Sequence, residues 1–195
     1  GFQALYSNTT ANNNTACGYA ALLSNTTGDA NTAVGQDSLD ANTTGRVNTA
    51  VGAATLTSNT TGSKNTAFGS SALESNTTAD GNTGIGDASL NNNTTGANNT
   101  AVGISALKQN TTGSANVGVG INAGDSITTG NFNTCVGQSA GDNITTGNNN
   151  LILGHDSDCS SSTASNEVVL GGSGIATLRC NTQTISSLSD GRDKT

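Results

Sequence analysis

His155 is the only histidine in the chain. It stands in the stretch GHDSDC with Asp156, Asp158 and Cys159. These are metal-ligand types, but Asp and Ser are also the default residues of turns. GHDSD follows a Gly that recurs throughout the sequence, so the reading adopted is a polar turn, with no metal and no cofactor. The four cysteines, Cys17, Cys135, Cys159 and Cys180, are spaced by 118, 24 and 21 residues. No zinc pattern has those spacings. Cys17 and Cys135 replace small apolar residues of a repeat and read as buried hydrophobes. Cys180 is a candidate for an interchain disulfide.

Asn-Thr-Thr recurs at Asn8, Asn25, Asn42, Asn59, Asn76, Asn93 and Asn110. Each is an N-glycosylation sequon. Each is also a turn whose Asn can bond its own backbone, and that reading is preferred. Gly-x-Gly pairs such as Gly118 and Gly120 sit inside the repeat and need no nucleotide. No Ser-His-Asp spacing, phosphate loop or catalytic carboxylate pair stands out.

These residues are positioned by a strict period. Asn14, Asn31, Asn48, Asn65, Asn82, Asn99, Asn116, Asn133 and Asn150 follow one another at steps of 17. Gly keeps the same step from Gly1 through Gly35, Gly52 and Gly69 to Gly171, over ten intervals without an insertion. Such self-similarity is the mark of a solenoid. An apolar residue precedes the Gly, as in Val34, Val51 and Phe68. Leu follows it by four, as in Leu39, Leu56 and Leu73, and a small residue precedes that Leu. None of the 19 charged residues falls in the Asn column from Asn14 to Asn150, in the Gly column, or in the Leu column from Leu5 to Leu107, so charge falls in the variable places of a solvated face.

Val, Leu, Ile and Phe make up only 33 of 195 residues, and charged residues are 10% with a net charge of −7. Disordered chains are more charged and richer in Pro, which is absent here. Mild acidity and scattered Lys and Arg argue against nucleic-acid binding. The lack of a long apolar run argues against membrane insertion. Gly1 falls inside the pattern, so the repeat is expected to continue upstream, and the lack of a secretion signal carries no weight.

The sequence therefore predicts an all-β fold, a parallel β-solenoid or β-roll of 17-residue rungs. Asn-Thr-Ala-Val is expected to be a strand with Thr outward and Val inward, Gly to be the corner, and Asn-Thr-Thr-Gly the closing turn. Gly35, Gly52, Gly69, Val34, Val51, Leu39, Leu56 and Asn48 are the expected structural residues. Asn and Thr would stack in ladders. After Gly120 and Gly137 the Leu column becomes Gly124 and Gly141, and the sequon Asn becomes Ile127 and Ile144. Those Ile are expected to fill the space below Leu107. So thin a core calls for support from other copies, and a homo-oligomer is expected.

The repeats NTAVG…AL…SNTTG resemble those of bacteriophage and algal-virus tail fibres, and are similar to the β-roll heads of trimeric autotransporter adhesins. NEVVLGGSGIATLRCNTQTISSLSDGRDKT, residues 166–195, resembles the junction of such fibres with an endosialidase-type intramolecular chaperone. The resemblance implies a homotrimeric shaft over residues 1–154, degenerate rungs and a junction over 155–188, and the start of a chaperone over 189–195. It also implies that Ser189 and Lys194 form a self-cleavage pair, active only in a longer parent that carries the whole chaperone. The chain itself is then no enzyme.

The implied function is a structural and adhesive fibre segment of a virion or extracellular filament, facing a host surface receptor or glycan. Tyr19, Gln36, Arg46, Lys64 and Phe132 would decorate its outside. The alternative is an ice-binding or other extracellular adhesin solenoid built on the Thr pairs from Thr26/Thr27 to Thr111/Thr112. Adjacent Thr point to opposite faces of a strand, which weighs against the ice-binding reading.

Overall fold

The computed structural model describes residues 1–172 of the chain. It is all-β. Ten strands of three residues each form one parallel sheet in chain order. They are β1 (Thr15–Cys17), β2 (Thr32–Val34), β3 (Thr49–Val51), β4 (Thr66–Phe68), β5 (Thr83–Ile85), β6 (Thr100–Val102), β7 (Val117–Val119), β8 (Thr134–Val136), β9 (Leu151–Leu153) and β10 (Val168–Leu170). Each strand pairs with the next at a shift of 17, so Thr49 lies beside Thr66 and Ala50 beside Ala67. The period read from the sequence is thus one turn of a β-solenoid. Stacking runs past residue 154, since β10 pairs with β9 in the same register. Ser189, Lys194 and Cys180 lie outside the described residues.

One expectation about the strand is corrected. Thr and Val are two residues apart, so they share a face, and putting Thr outside obliges Val to be outside as well. Ala33, Ala50, Ala67 and Ala101, between them, are fully buried. Val34 is 36% exposed, Phe68 42% and Ile85 41%, while Val51 is half-buried. The interior admits only a small residue there because the Leu column crosses it. A Cβ on Gly118, in the Ala column, would lie 2.9 Å from Leu107 Cγ. Cys17 sits in the outward column and is exposed, which corrects its reading as buried; Cys135 sits in the inward column and is buried.

Leu39, Leu56 and the other Leu of the column from Leu22 to Leu107 are fully buried and form the core with the inward Ala. Ile127 and Ile144 are fully buried too. A Cβ on Gly124 would meet Leu107 Cδ2 at 2.9 Å and Ile127 Cδ1 at 3.0 Å, so Ile127 does fill the space by Leu107. The inward strand residue also grows there. A Cβ on Gly141 would lie 2.6 Å from Cys135 Sγ and 2.9 Å from Ile152 Cδ1. Apolar volume moves between three columns while the interior stays filled, as close packing demands.

The corner glycines are required. Gly35 and Gly52 have φ of 139°, and a Cβ on Gly35 would lie 2.2 Å from the carbonyl oxygen of Gly52 in the next rung. In each rung up to Asn149 three further residues take left-handed backbone, such as Ala54 (φ 54°), Leu56 (52°) and Lys64 (60°). Leu is disfavoured in that region by sterics. Burial of its side chain and bonding to the next rung offset the cost: the Leu56 N–H donates to Ala72 O at 3.1 Å.

Candidate functional surface

Two buried asparagine columns tie the rungs together. In the first, Asn48 Nδ2 donates to Gly62 O at 2.8 Å, and Asn48 Oδ1 accepts the N–H of Asn65 at 2.9 Å. The same pair of bonds recurs from Asn14 to Asn150. Each amide therefore satisfies a turn carbonyl of its own rung and a strand-entry N–H of the next. Glu167 takes the next place in this column. Its N–H donates to Asn150 Oδ1 at 2.9 Å, while its carboxylate turns away to accept from the Ser160 N–H and hydroxyl. Those bonds hold the Glu167 carboxyl below its ordinary range.

The second column is the Asn of Asn-Thr-Thr. Asn59 Nδ2 donates to Asn42 Oδ1 at 2.8 Å and to Gly62 O at 3.0 Å. Asn25, Asn42, Asn59, Asn76, Asn93 and Asn110 are fully buried. The nitrogen that would carry a glycan is thus enclosed and has spent both hydrogens, which supports the turn reading of these sequons. The column ends where Ile127 replaces Asn, and Asn110 Oδ1 is left buried without a donor. The first Thr of each pair joins the same system: Thr26 Oγ1 donates to Thr43 O at 3.1 Å and Thr43 Oγ1 to Thr60 O at 3.0 Å. The second, as at Thr27, Thr44 and Thr61, is exposed.

The residues expected to offer chemistry are not gathered. His155 and Asp156 are exposed neighbours, Nδ1 to Oδ2 at 3.3 Å. Asp158 is exposed, while Cys159 is buried with its thiol pushed up to about 11, first by burial and then by Glu167. Burial likewise pushes the Cys135 thiol up to about 12. Among the described residues no three His, Cys, Asp or Glu side chains are placed to hold a metal, and no helix is long and apolar enough to cross a membrane.

What the fold does organise is an exterior. Tyr19, Gln36, Arg46, Lys64 and Phe132 are all exposed, as expected. Arg46 pairs with Asp29 of the preceding rung at 3.0 Å, and Tyr19 stacks on Phe2 with ring centroids 5.9 Å apart. Acidic residues collect in the column one place after the core Leu, at Asp40, Glu74, Asp125 and Asp142. The Asp142 carboxyl is raised by burial first, then by Asp158 and Asp125; Asp40 is raised mainly by burial.

The sheet's outward face differs. Its two columns, running from Thr15 to Val168 and from Cys17 to Leu170, contain no charged residue. A groove of about 390 Å³ links Phe132 on its flank with Thr134, Leu151 and Val168 in the first column, and Glu167 and three asparagines line it as well. The sequence reading missed this face because it turned Val inward; the two-residue spacing of Thr and Val was the signal. Comparison with protein-family models, with curated proteins and with solved structures gives no match.

Proposed function

We propose that the chain is a segment of a structural and adhesive fibre, a shaft of a viral tail fibre or extracellular filament. It would work as a homotrimer whose variable exterior meets a host surface receptor or glycan. The observation that carries this reading is the unbroken stack of ten strands in one 17-residue register. Bonds spanning successive rungs at every level resist bending and make length, rather than an enclosed site, the product of the fold. The resemblance of the repeats and of residues 166–195 to tail fibres supplies the viral context and the number three. By the same resemblance, Ser189 and Lys194 would cleave the chain only in a parent that completes the chaperone; the segment itself is proposed to be no enzyme. Light scattering of the purified chain tests the assembly: a mass of three chains supports the reading, and a single-chain mass at all concentrations refutes it.

Ice binding is the second reading, and one observation favours it. The Asn-Thr-Thr pairs do not make an ice-like array, since the first Thr is tied to the next rung and only the second is exposed. The outward Thr and Val columns, however, are spaced regularly on one face, about 4.8 Å along the stack and about 7 Å across it. Thermal hysteresis of the chain distinguishes the two readings.

A further inference from the structure

The exposed apolar residues of this solenoid are not scattered. Of the fourteen large hydrophobic residues exposed among the described residues, all but Tyr6 lie in the two outward columns of the sheet or in the columns that border it. Val34, Phe68, Ile85, Val136 and Leu170 stand in the column before the corner Gly, and Leu151 and Val168 in the Thr column. Val47 and Phe132 border the face on one side; Phe2, Tyr19, Ile104 and Ile121 border it on the other. Isolated exposed hydrophobes need no explanation, but a contiguous uncharged strip does.

We infer that this face packs against the same face of further copies, with all copies running in the same direction. The inference rests on the fibre reading and deepens it by assigning the surface through which the chains associate. Three observations identify a second copy as the occupant. The first is size. Nine steps of about 4.8 Å give a face about 43 Å long, and the six residue steps from the Val47 border to the Tyr19 border give at most about 20 Å of width. That is on the order of 800 Å² per copy, close to what one partner contributes to a standard specific complex. The second is composition: the two outward columns at the centre of the face carry Val, Ile, Phe and Thr and no charge, with charge confined to the borders, and charge depletion at the core is what marks an interface.

The third is complementarity between its borders. In a ring of parallel copies the Val47 side of one chain meets the Tyr19 side of the next. Lys64 is the charged residue of the first border, and Asp87 is the carboxylate of the second. They belong to neighbouring rungs, those of β4 and β5. Phe132 and Ile121 also belong to neighbouring rungs, those of β8 and β7. Copies aligned level with one another bring the opposite charges, and the two apolar side chains, within about one rung, roughly 4.8 Å along the axis. Identical chains share the same rung spacing, so copies aligned level stay in step along the whole strip.

The chain carries its own reporter. Cys17 is exposed within the outward column at one end of the strip, while Cys135 and Cys159 are buried. In a chain with Cys180→Ser, a short bismaleimide should join Cys17 of one copy to Cys17 of another and give a covalent dimer on a denaturing gel. Antiparallel copies would hold the two Cys17 about 43 Å apart, too far to join. In parallel, Phe68→Asp should reduce the mass in light scattering to that of one chain while the circular dichroism stays β-rich. Thr61→Asp, on the exposed column of the closing turn, should leave the mass unchanged.

An assembled parent that gives no Cys17 cross-link, or an assembled Phe68→Asp variant, overturns the assignment of the face and leaves the fibre reading standing. A single-chain parent overturns both, and thermal hysteresis of that single chain would give the face to ice.

Discussion

Replacing Asn65 by Ala tests whether the asparagine columns hold the rungs together. Asn65 is fully buried at the middle of the stack. Its Nδ2 donates to Ala79 O at 2.8 Å, and its Oδ1 accepts the N–H of Asn82 at 2.9 Å. Truncation leaves Ala79 O with the bond from Asn76 Nδ2 at 3.2 Å. Asn82 N–H, however, loses its acceptor in a place closed to water. An orphaned buried donor costs about 1–3 kcal/mol and the lost bond to Ala79 about 1 more. With the small cavity added, the total is about 2–5 kcal/mol. In a quasi-one-dimensional array this loss falls mainly on the interface between two rungs. Hydrogen exchange at Asn82 N–H should therefore quicken by on the order of 10²–10³-fold, with amides several rungs away changing little. Asn92 is the control, because its amide bonds only the exposed Gln109 side chain at 2.9 Å. Asn92→Ala should stay within about 0.5 kcal/mol of the parent. If Asn65→Ala exchanges and unfolds in urea like Asn92→Ala, the columns are not what joins the rungs.

Three other outcomes follow from the same geometry. Gly124→Leu and Ile127→Asn should each destabilise the chain, the first by crowding Leu107 and the second by emptying the core. The double substitution should recover about 1–3 kcal/mol relative to their sum, since it restores the repeat and gives Asn110 Oδ1 a donor; additive melting data would contradict this. Chain secreted from a eukaryotic cell in folded form should carry no glycan at Asn59, and mass spectrometry of the peptide spanning it decides the matter. The raised Asp142 carboxyl means that the folded chain binds its proton more tightly than the unfolded chain does. The contribution of Asp142, and of Asp40 in the same sense, should thus rise as pH falls from neutral into the carboxylate range, up to the point where the unfolded chain is protonated as well, while Glu167, held low, acts in the opposite sense. Asp142→Asn should stabilise the chain at neutral pH and flatten that rise; an unchanged pH profile of thermal melting would refute the assignment.

The fold was legible because each rung repeats one instruction. The 17-residue step gave the register, the Leu column gave the core, and the exchange of Gly124 for Ile127 was visible as a transfer of volume. The strand face was misread because apolar character was taken as a guide to burial. In a strand the two-residue period decides, and Ala, which can fit beside Leu, takes the inside. The left-handed backbone at Leu56 and Leu73 had no local signal, because it is imposed by stacking against the residue's own propensity. Two places before the core Leu, or before the residue that replaces it, Asp37, Asn122 and Asp156 did hint at it, being types that tolerate that region. Around His155, read as a polar turn, the structure sets His155 beside Asp156, and such sequence proximity in a turn does not turn side chains toward a common point.

Electron cryomicroscopy of the assembled chain reads rung spacing and symmetry in one image. A homotrimeric fibre joined through its sheet faces gives a thin rod with an axial repeat of about 4.8 Å and three copies around its axis, sheet faces turned inward and running in the same direction. Isolated single solenoids, or copies joined through the Asn-Thr-Thr turns with the Thr and Val columns open to solvent, would contradict it.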